Sequence, residues 1–211
     1  MNKEPPDVNS GSHVIVPPTG VVAIAAVGAP TVWLSANFAS SWYADAKLEA
    51  IGIGDTQRRR REITFSVAAV ESYLLEWVRD EVLKRDFVLL DIYFPPGERR
   101  PVTEKWKETT KSLASNGLIQ SAPSLAGKTW ENFHHLVEFR NGLIHARASR
   151  PQTAGLSEIQ MPVPSMEELQ SLEPGWAVGV ITALIRELHM ATGTKEPDWV
   201  GSNNDIPQSN L

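Results

Sequence analysis

Apolar residues recur at three- and four-residue steps in several stretches of the chain, which is the spacing of a helix with one buried face. The longest such run covers residues 62–85 and carries Ile63, Val67, Val70, Leu74, Trp77 and Val78 on one side. The same spacing predicts further helices over residues 31–51, 102–115, 129–148, from 165 onward, and 176–188. The pattern therefore predicts an all-α, bundle-like domain of about five helices.

The sequence does not decide the secondary structure of one apolar run. Residues 87–94 are continuously apolar except for Asp91, and a run of this length fits a buried strand as well as a helix. The turn sequence Pro95-Pro96-Gly97 ends it. Both interpretations stay open from the sequence.

Composition divides the chain into three parts. Residues 1–30 are rich in Pro and Gly and form an expected N-terminal arm, partly disordered or folded as a hairpin. Residues 31–192 contain the helical pattern and form the expected domain. Residues 193–211 are polar and poor in core-forming side chains, which predicts a disordered C-terminal tail.

Several classes of site are excluded by composition. The chain has no cysteine, so disulfides, thiolate metal sites and a cysteine nucleophile are ruled out. The adjacent His134 and His135 point about 100° apart on a helix, and no acidic residue completes a metal-binding spacing. We predict no metal and no cofactor.

No apolar run approaches the roughly 18 residues of a membrane span and no secretory leader is evident, so we expect a cytoplasmic protein without a membrane partner.

Charge is distributed unevenly along the chain. Residues 58–150 carry 16 basic and 12 acidic side chains, a balance of +4, between flanks of −3 and −6 that bring the total to −5. A run of arginines opens this basic segment, where four cations oppose the helix macrodipole. The run is either a solvated stretch or a weak phosphate-binding patch, to which a later arginine could contribute: Arg58, Arg59, Arg60, Arg61 and Arg147.

Two charged residues fall where the helical period predicts burial. Arg140 lies four residues after Leu136 and four before Ile144, and a guanidinium on such a stripe is costly unless it is paired or lines a cleft. Glu71 sits among apolar neighbours in the same way on the helix of residues 62–85. We expect the two to pair. A purely structural ion pair is the alternative.

Asn141 and His145 add chemistry beside Arg140. They are four residues apart and share a helix face, whereas Arg140 and His145 are about 140° apart and converge only in a broad cleft or across a two-fold interface. Histidine can move a proton near neutral pH, and arginine can grip a phosphate. These groups suffice for metal-free RNA cleavage, in which a base activates the ribose 2′-OH and an acid protonates the leaving oxygen. DNA lacks that hydroxyl.

The stretch Arg140-Asn141-Gly142-Leu143-Ile144-His145 resembles the Arg-x4-6-His motif of the HEPN (higher eukaryotes and prokaryotes nucleotide-binding) superfamily. The stretch Ala69-Val70-Glu71-Ser72-Tyr73-Leu74 resembles an earlier family helix that bears an inward acidic residue. In organisation the resemblance covers residues 58–192, but in literal residues it covers only these two short stretches.

The resemblance implies a HEPN-like helical bundle that forms a homodimer, with the motif residues gathered at a cleft between protomers. Many members are metal-independent endoribonucleases, often toxins of toxin–antitoxin or phage-defence systems. On this basis Arg140 and His145 are the expected catalytic residues, Asn141 orients them and Glu71 holds Arg140. RNA, a second copy and an antitoxin or other protein are the expected partners. Other members no longer cleave and serve as dimerisation or binding modules for a partner protein or nucleotide, and that alternative stays open.

Overall fold

The structure, a computed structural model, describes residues 37–52, 55–145 and 166–201. The chain divides into two units, Met1–Asn37 and Phe38–Leu211, and only residue 37 of the first is described. The described part of the second unit is helical and contains no strand, which confirms the predicted all-α class. The predicted arm of residues 1–30 and its possible hairpin lie outside the described residues.

Eight α-helices occur in the described ranges. In chain order they are α1 (Ala39–Ala50), α2 (Thr56–Trp77), α3 (Phe87–Tyr93), α4 (Val102–Ser115), α5 (Lys128–His145), α6 (Met166–Ser171), α7 (Trp176–Thr192) and α8 (Asp198–Gly201). Two of them, α3 and α8, are short helices beyond those that the apolar spacing predicted, whereas α6 falls where a helix was expected from residue 165 onward. The run at residues 87–94, undecided from the sequence, is helical, with the Asp86 carboxylate accepting hydrogen bonds from the first turn of α3.

Helix α2 lies at the centre of the fold and packs against α1, α5, α6 and α7. It begins at Thr56, because the Asp55 side chain accepts a hydrogen bond from the Gln57 backbone N–H at 2.8 Å and so satisfies a free donor of the first turn. The arginine run therefore lies inside the first turns of α2, and the helix starts six residues before the apolar pattern that predicted it.

The end of α2 is irregular. The α-helix passes into a π-helical turn over Val78–Val82, where Arg79 is buried and pairs with Asp80. Lys84 and Arg85 then adopt positive φ angles of 50° and 68°, which side chains other than glycine rarely do. The Arg85 N–H donates to the Arg79 carbonyl at 2.7 Å and closes the helix.

The helical unit extends past the predicted boundary at residue 192. Helix α8 carries Val200, which is fully buried, and Trp199, whose ring packs against Tyr43 and Tyr73. The predicted disordered tail from residue 193 therefore begins too early, because two apolar side chains in a polar stretch are enough to anchor one helical turn. Among the described helices none is long and apolar enough to cross a bilayer.

Candidate functional site

Helix α5 carries the motif residues at its C-terminal end. Its buried stripe of Phe133, Leu136 and Val137 follows the predicted period, and Phe139 is buried beside it. Arg140 comes next and is half-buried, so its side chain lies at the edge of the core and not within it. This position allows the guanidinium to reach solvent or a bound molecule.

Arg140 is held by a neutral neighbour. Its Nη1 donates a hydrogen bond to the Asn141 Oδ1 at 3.1 Å. Within the described ranges no carboxylate lies within 4.0 Å of the guanidinium. Other arginines do pair with carboxylates: Arg59, Arg61, Arg79, Arg85, Arg100 and Arg186. The positive charge of Arg140 therefore stays uncompensated by any described acid.

The predicted pairing of Glu71 with Arg140 is wrong. Lys105 Nζ of α4 donates to the Glu71 Oε1 at 3.0 Å, and the Glu71 side chain is 39% exposed. The helical period had given the angular position of Glu71 on α2 correctly as next to apolar residues. The period does not show which helix faces Glu71. In the structure that helix is α4, whose Lys105 pairs with the carboxylate, and not α5.

Two other predicted residues fall outside what can be described. His145 is the last helical residue of α5, and its side chain lies outside the described residues, as does the whole of Arg147. The predicted approach of His145 to Arg140 therefore stays a prediction, as does the phosphate-binding role of Arg147.

The arginine run is largely engaged within the protein. Arg59 is buried, and the Nε and Nη2 of Arg61 donate to the two carboxylate oxygens of Glu49 at 2.8 and 3.0 Å. Arg58 lies over Gly52 so closely that a Cβ there would meet its Nη1 at 2.1 Å. Carboxylates therefore pair with two of the four arginines, Glu62 with Arg59 and Glu49 with Arg61. The run offers less free charge to a phosphate than the sequence suggested.

The acid that is truly buried in α2 is Glu62, which sequence reasoning missed. Glu62 Oε2 accepts from Arg59 Nη1 at 2.8 Å, and Oε1 accepts from the Ala177 N–H at 3.1 Å at the start of α7. Burial raises the pKa of Glu62, while Arg59 and the backbone N–H groups of Gly175 and Ala177 act in the opposite direction. A signal was present in the sequence, because residues 59 and 62 are three apart and lie on one helix face.

This buried pair also orders the neighbourhood of the motif. Glu62 fixes the first turn of α7, and Trp176 in that turn packs edge-on against His135 and Phe139 of α5. Phe139 directly precedes Arg140. Glu62 bonds to Ala177, and the neighbouring Trp176 packs on Phe139, so these contacts help to hold the end of α5 against the start of α7.

A second buried polar group lies near the other end of α7. His189 is 5% exposed, and its Nε2 lies 2.5 Å from the Tyr73 hydroxyl oxygen. Its Nδ1 lies 2.6 Å from the Thr194 Oγ1. Burial lowers the pKa of His189, so the ring is a neutral structural group at physiological pH.

The adjacent histidines have no metal-binding arrangement in the part of the chain that is described. His134 and His135 are exposed and stack edge-on against Trp130 and Trp176 respectively. No group of three or more His, Asp or Glu side chains converges there in a way that could hold an ion. Both rings cover apolar surface.

No family model, curated protein or solved structure matches the chain. The resemblance to the HEPN superfamily therefore rests on residues 69–74 and 140–145 and on the helical organisation around them.

Proposed function

We propose that this chain is a HEPN-like, metal-independent endoribonuclease that acts as a homodimer, with Arg140 and His145 as its catalytic residues. The observation that supports it most directly is the state of Arg140. Its guanidinium is half-buried, oriented by Asn141 at 3.1 Å and not neutralised by any described carboxylate. A preorganised, uncompensated guanidinium is the group that a phosphate needs.

In the proposed reaction His145 acts as the base. It takes the proton from a ribose 2′-OH, and that oxygen attacks the adjacent phosphorus while the bond to the 5′ oxygen breaks. Arg140 neutralises the charge that develops on the phosphate oxygens. A protonated His145 from a second copy supplies the proton to the leaving 5′ oxygen, so the products are a 2′,3′-cyclic phosphate and a 5′-hydroxyl.

Asn141 is a positioning residue in this scheme, because it bonds to Arg140 and needs no contact with RNA. The resemblance implied that Glu71 holds Arg140 in place, and in this scheme other residues have the supporting role. Glu62 and Trp176 support the end of α5 through Phe139, as the contacts above describe. A role in a toxin–antitoxin or phage-defence system, with an antitoxin as protein partner, is the biological setting that we propose for this activity.

The test uses the full chain, purified and incubated with single-stranded RNA in excess chelator. We expect fragments ending in 2′,3′-cyclic phosphate, and no cleavage of RNA methylated at the 2′ oxygens. Arg140→Ala and His145→Ala should each remove cleavage at unchanged melting temperature and oligomeric mass. Arg99→Ala removes an exposed arginine elsewhere and serves as the matched control. Intact RNA in the presence of a correctly assembled dimer would refute the proposal.

A binding module without cleavage is the second candidate. It is favoured by a cluster of exposed apolar side chains on α3, namely Phe87, Val88, Leu89 and Ile92. Exposed clusters of this kind typically mark surfaces that contact other proteins. Loss of partner binding, without any effect on RNA, when Val88 and Ile92 are changed to Asp would favour this second candidate.

A further inference from the structure

A cavity of about 230 Å³ lies between α2 and α4. Its apolar wall is formed by Leu74, Leu75, Phe94 and Val102. Three polar residues complete the lining, namely Glu71, Ser72 and Lys105. Arg140 is not among the described residues that line it.

The cavity exists because long side chains bridge the two helices. Lys105 of α4 reaches Glu71 of α2 at 3.0 Å, and the Trp106 Nε1 donates to the Val70 carbonyl at 3.3 Å. Phe94, which follows α3, contributes a further side. The cavity lies next to these bridges.

The polar groups in the cavity keep hydrogen-bonding capacity. Lys105 has three N–H donors and uses one on the Glu71 Oε1, while Oε2 of that carboxylate accepts no hydrogen bond from the described residues. The Ser72 hydroxyl has no partner in the same ranges and can donate or accept. The Glu71 and Lys105 side chains are 39% and 19% exposed, so a ligand can reach both.

We propose that this cavity binds a free α-amino acid with a branched aliphatic side chain. The ammonium group of the ligand pairs with the Glu71 Oε2, and its carboxylate pairs with Lys105 and Ser72. The side chain enters the space bounded by Leu74 and Phe94. A zwitterion matches a lining that presents one charge of each sign and no net charge.

Size and charge argue against larger or anionic ligands. The cavity has a volume of about 230 Å³. It is smaller than the pockets of about 300 Å³ and more that hold drug-sized molecules. A nucleotide is too large and would bring several negative charges against Glu71.

The primary experiment is a calorimetric titration of the full chain with L-leucine. Three analogues each remove one recognised feature: isopentylamine lacks the carboxylate, 4-methylpentanoate lacks the ammonium group, and glycine lacks the side chain. We expect saturable binding of leucine and at least about tenfold weaker binding of every analogue. Absence of leucine binding, or equal binding of the amine or the acid, would overturn the proposal.

Variants locate the site. Glu71→Gln and Lys105→Met should each weaken leucine binding at least about tenfold, whereas Lys107→Met, an exposed lysine on the same helix, should leave it unchanged. Unchanged affinity in Lys105→Met would place the ligand elsewhere. If Lys105→Met lowers the melting temperature, Glu71→Gln still decides, because it keeps the shape and one acceptor. RNA cleavage is measured separately and does not depend on these residues, so the two proposals fail independently.

Discussion

Arg59 and Glu62 form an ion pair that is almost sealed from water, with 2.8 Å between Nη1 and Oε2 and side-chain exposures of 7% and 2%. Glu62 also accepts from the Ala177 N–H. Replacing Glu62 by Ala would leave a guanidinium buried without its partner and a backbone donor unsatisfied. We expect Glu62→Ala to reduce the free energy of unfolding by about 3–5 kcal/mol, measured by denaturant titration.

The matched control is the pair between Arg61 and Glu49, in which the Arg61 side chain is 48% exposed. Water screens this pair and solvates either partner when the other is removed. Glu49→Ala should therefore cost no more than about 1 kcal/mol. Equal losses in Glu49→Ala and Glu62→Ala would contradict the view that burial makes the Arg59–Glu62 pair structurally important.

The hydrogen bonds around His189 define one tautomer. Thr192 Oγ1 donates to the Leu188 carbonyl, so it can accept from the Thr194 hydroxyl at 2.8 Å. Thr194 then accepts from the His189 Nδ1–H, which leaves Nε2 to accept from the Tyr73 hydroxyl. A proton on Nε2 would force the buried Tyr73 hydroxyl to turn and accept instead of donate, so the network as it stands favours a neutral ring.

This arrangement predicts a loss of stability in mild acid. Burial lowers the pKa of His189 in the folded protein below its usual value of about 6.5, so the unfolded chain binds the proton first. The contribution of the group is fully present above about pH 6.5 and is lost as the pH falls below it. Denaturant titrations between neutral and mildly acidic pH should show this slope in the native protein.

The control for this slope is the loss of the histidine itself. His189→Asn should flatten the pH dependence of the unfolding free energy, while His134→Asn removes an exposed histidine and should leave it as it was. An unchanged slope in His189→Asn would assign the acid sensitivity to another group.

Much of the fold could be predicted from the apolar period alone. The bounds of α4 match the prediction, the start of α7 at Trp176 matches too, and α5 begins within one residue of its predicted start. Helices of this length leave an unambiguous stripe. The type of α3 could not be predicted, because seven apolar residues fit either secondary structure. Helix α8 was missed because its burial depends on contacts of Trp199 with residues far away in sequence.

The candidate site was harder to predict than the fold. Periodicity places Arg140 and Glu71 at angles around their own helices, but it does not say which helix faces them. Glu71 therefore received the wrong partner. The buried acid, Glu62, was overlooked because it follows directly after four arginines in a stretch that looks solvated.

The corrected partner of Glu71 leads to a prediction about cleavage. Glu71→Gln should leave the rate of RNA cleavage unchanged, because the carboxylate contacts Lys105 and not Arg140. Asn141→Ala should lower the rate by up to about 10²-fold, because the guanidinium loses the bond that orients it. Initial rates with one RNA substrate compare the two variants. The opposite order would restore the pairing that the resemblance implied.

Substituting Arg140 by Lys separates charge from geometry at the proposed site. Lysine keeps the positive charge but lacks the planar fork that holds two phosphate oxygens at once. We expect Arg140→Lys to bind RNA with the salt dependence of the native protein and to cleave it about 10²–10³-fold more slowly. Fluorescence anisotropy over a series of salt concentrations gives the first quantity, and initial rates give the second.

Arg140→Gln is the companion variant, because it removes the charge at similar size. If Arg140 contacts a phosphate, the slope of log affinity against log salt should decrease by about one in this variant and stay the same in Arg140→Lys. Full cleavage by Arg140→Lys would show that a point charge suffices. Equal salt slopes in all three proteins would show that Arg140 does not contact phosphate. The half-buried guanidinium bound to Asn141 would then have only a structural role in α5, which would favour the binding module without cleavage.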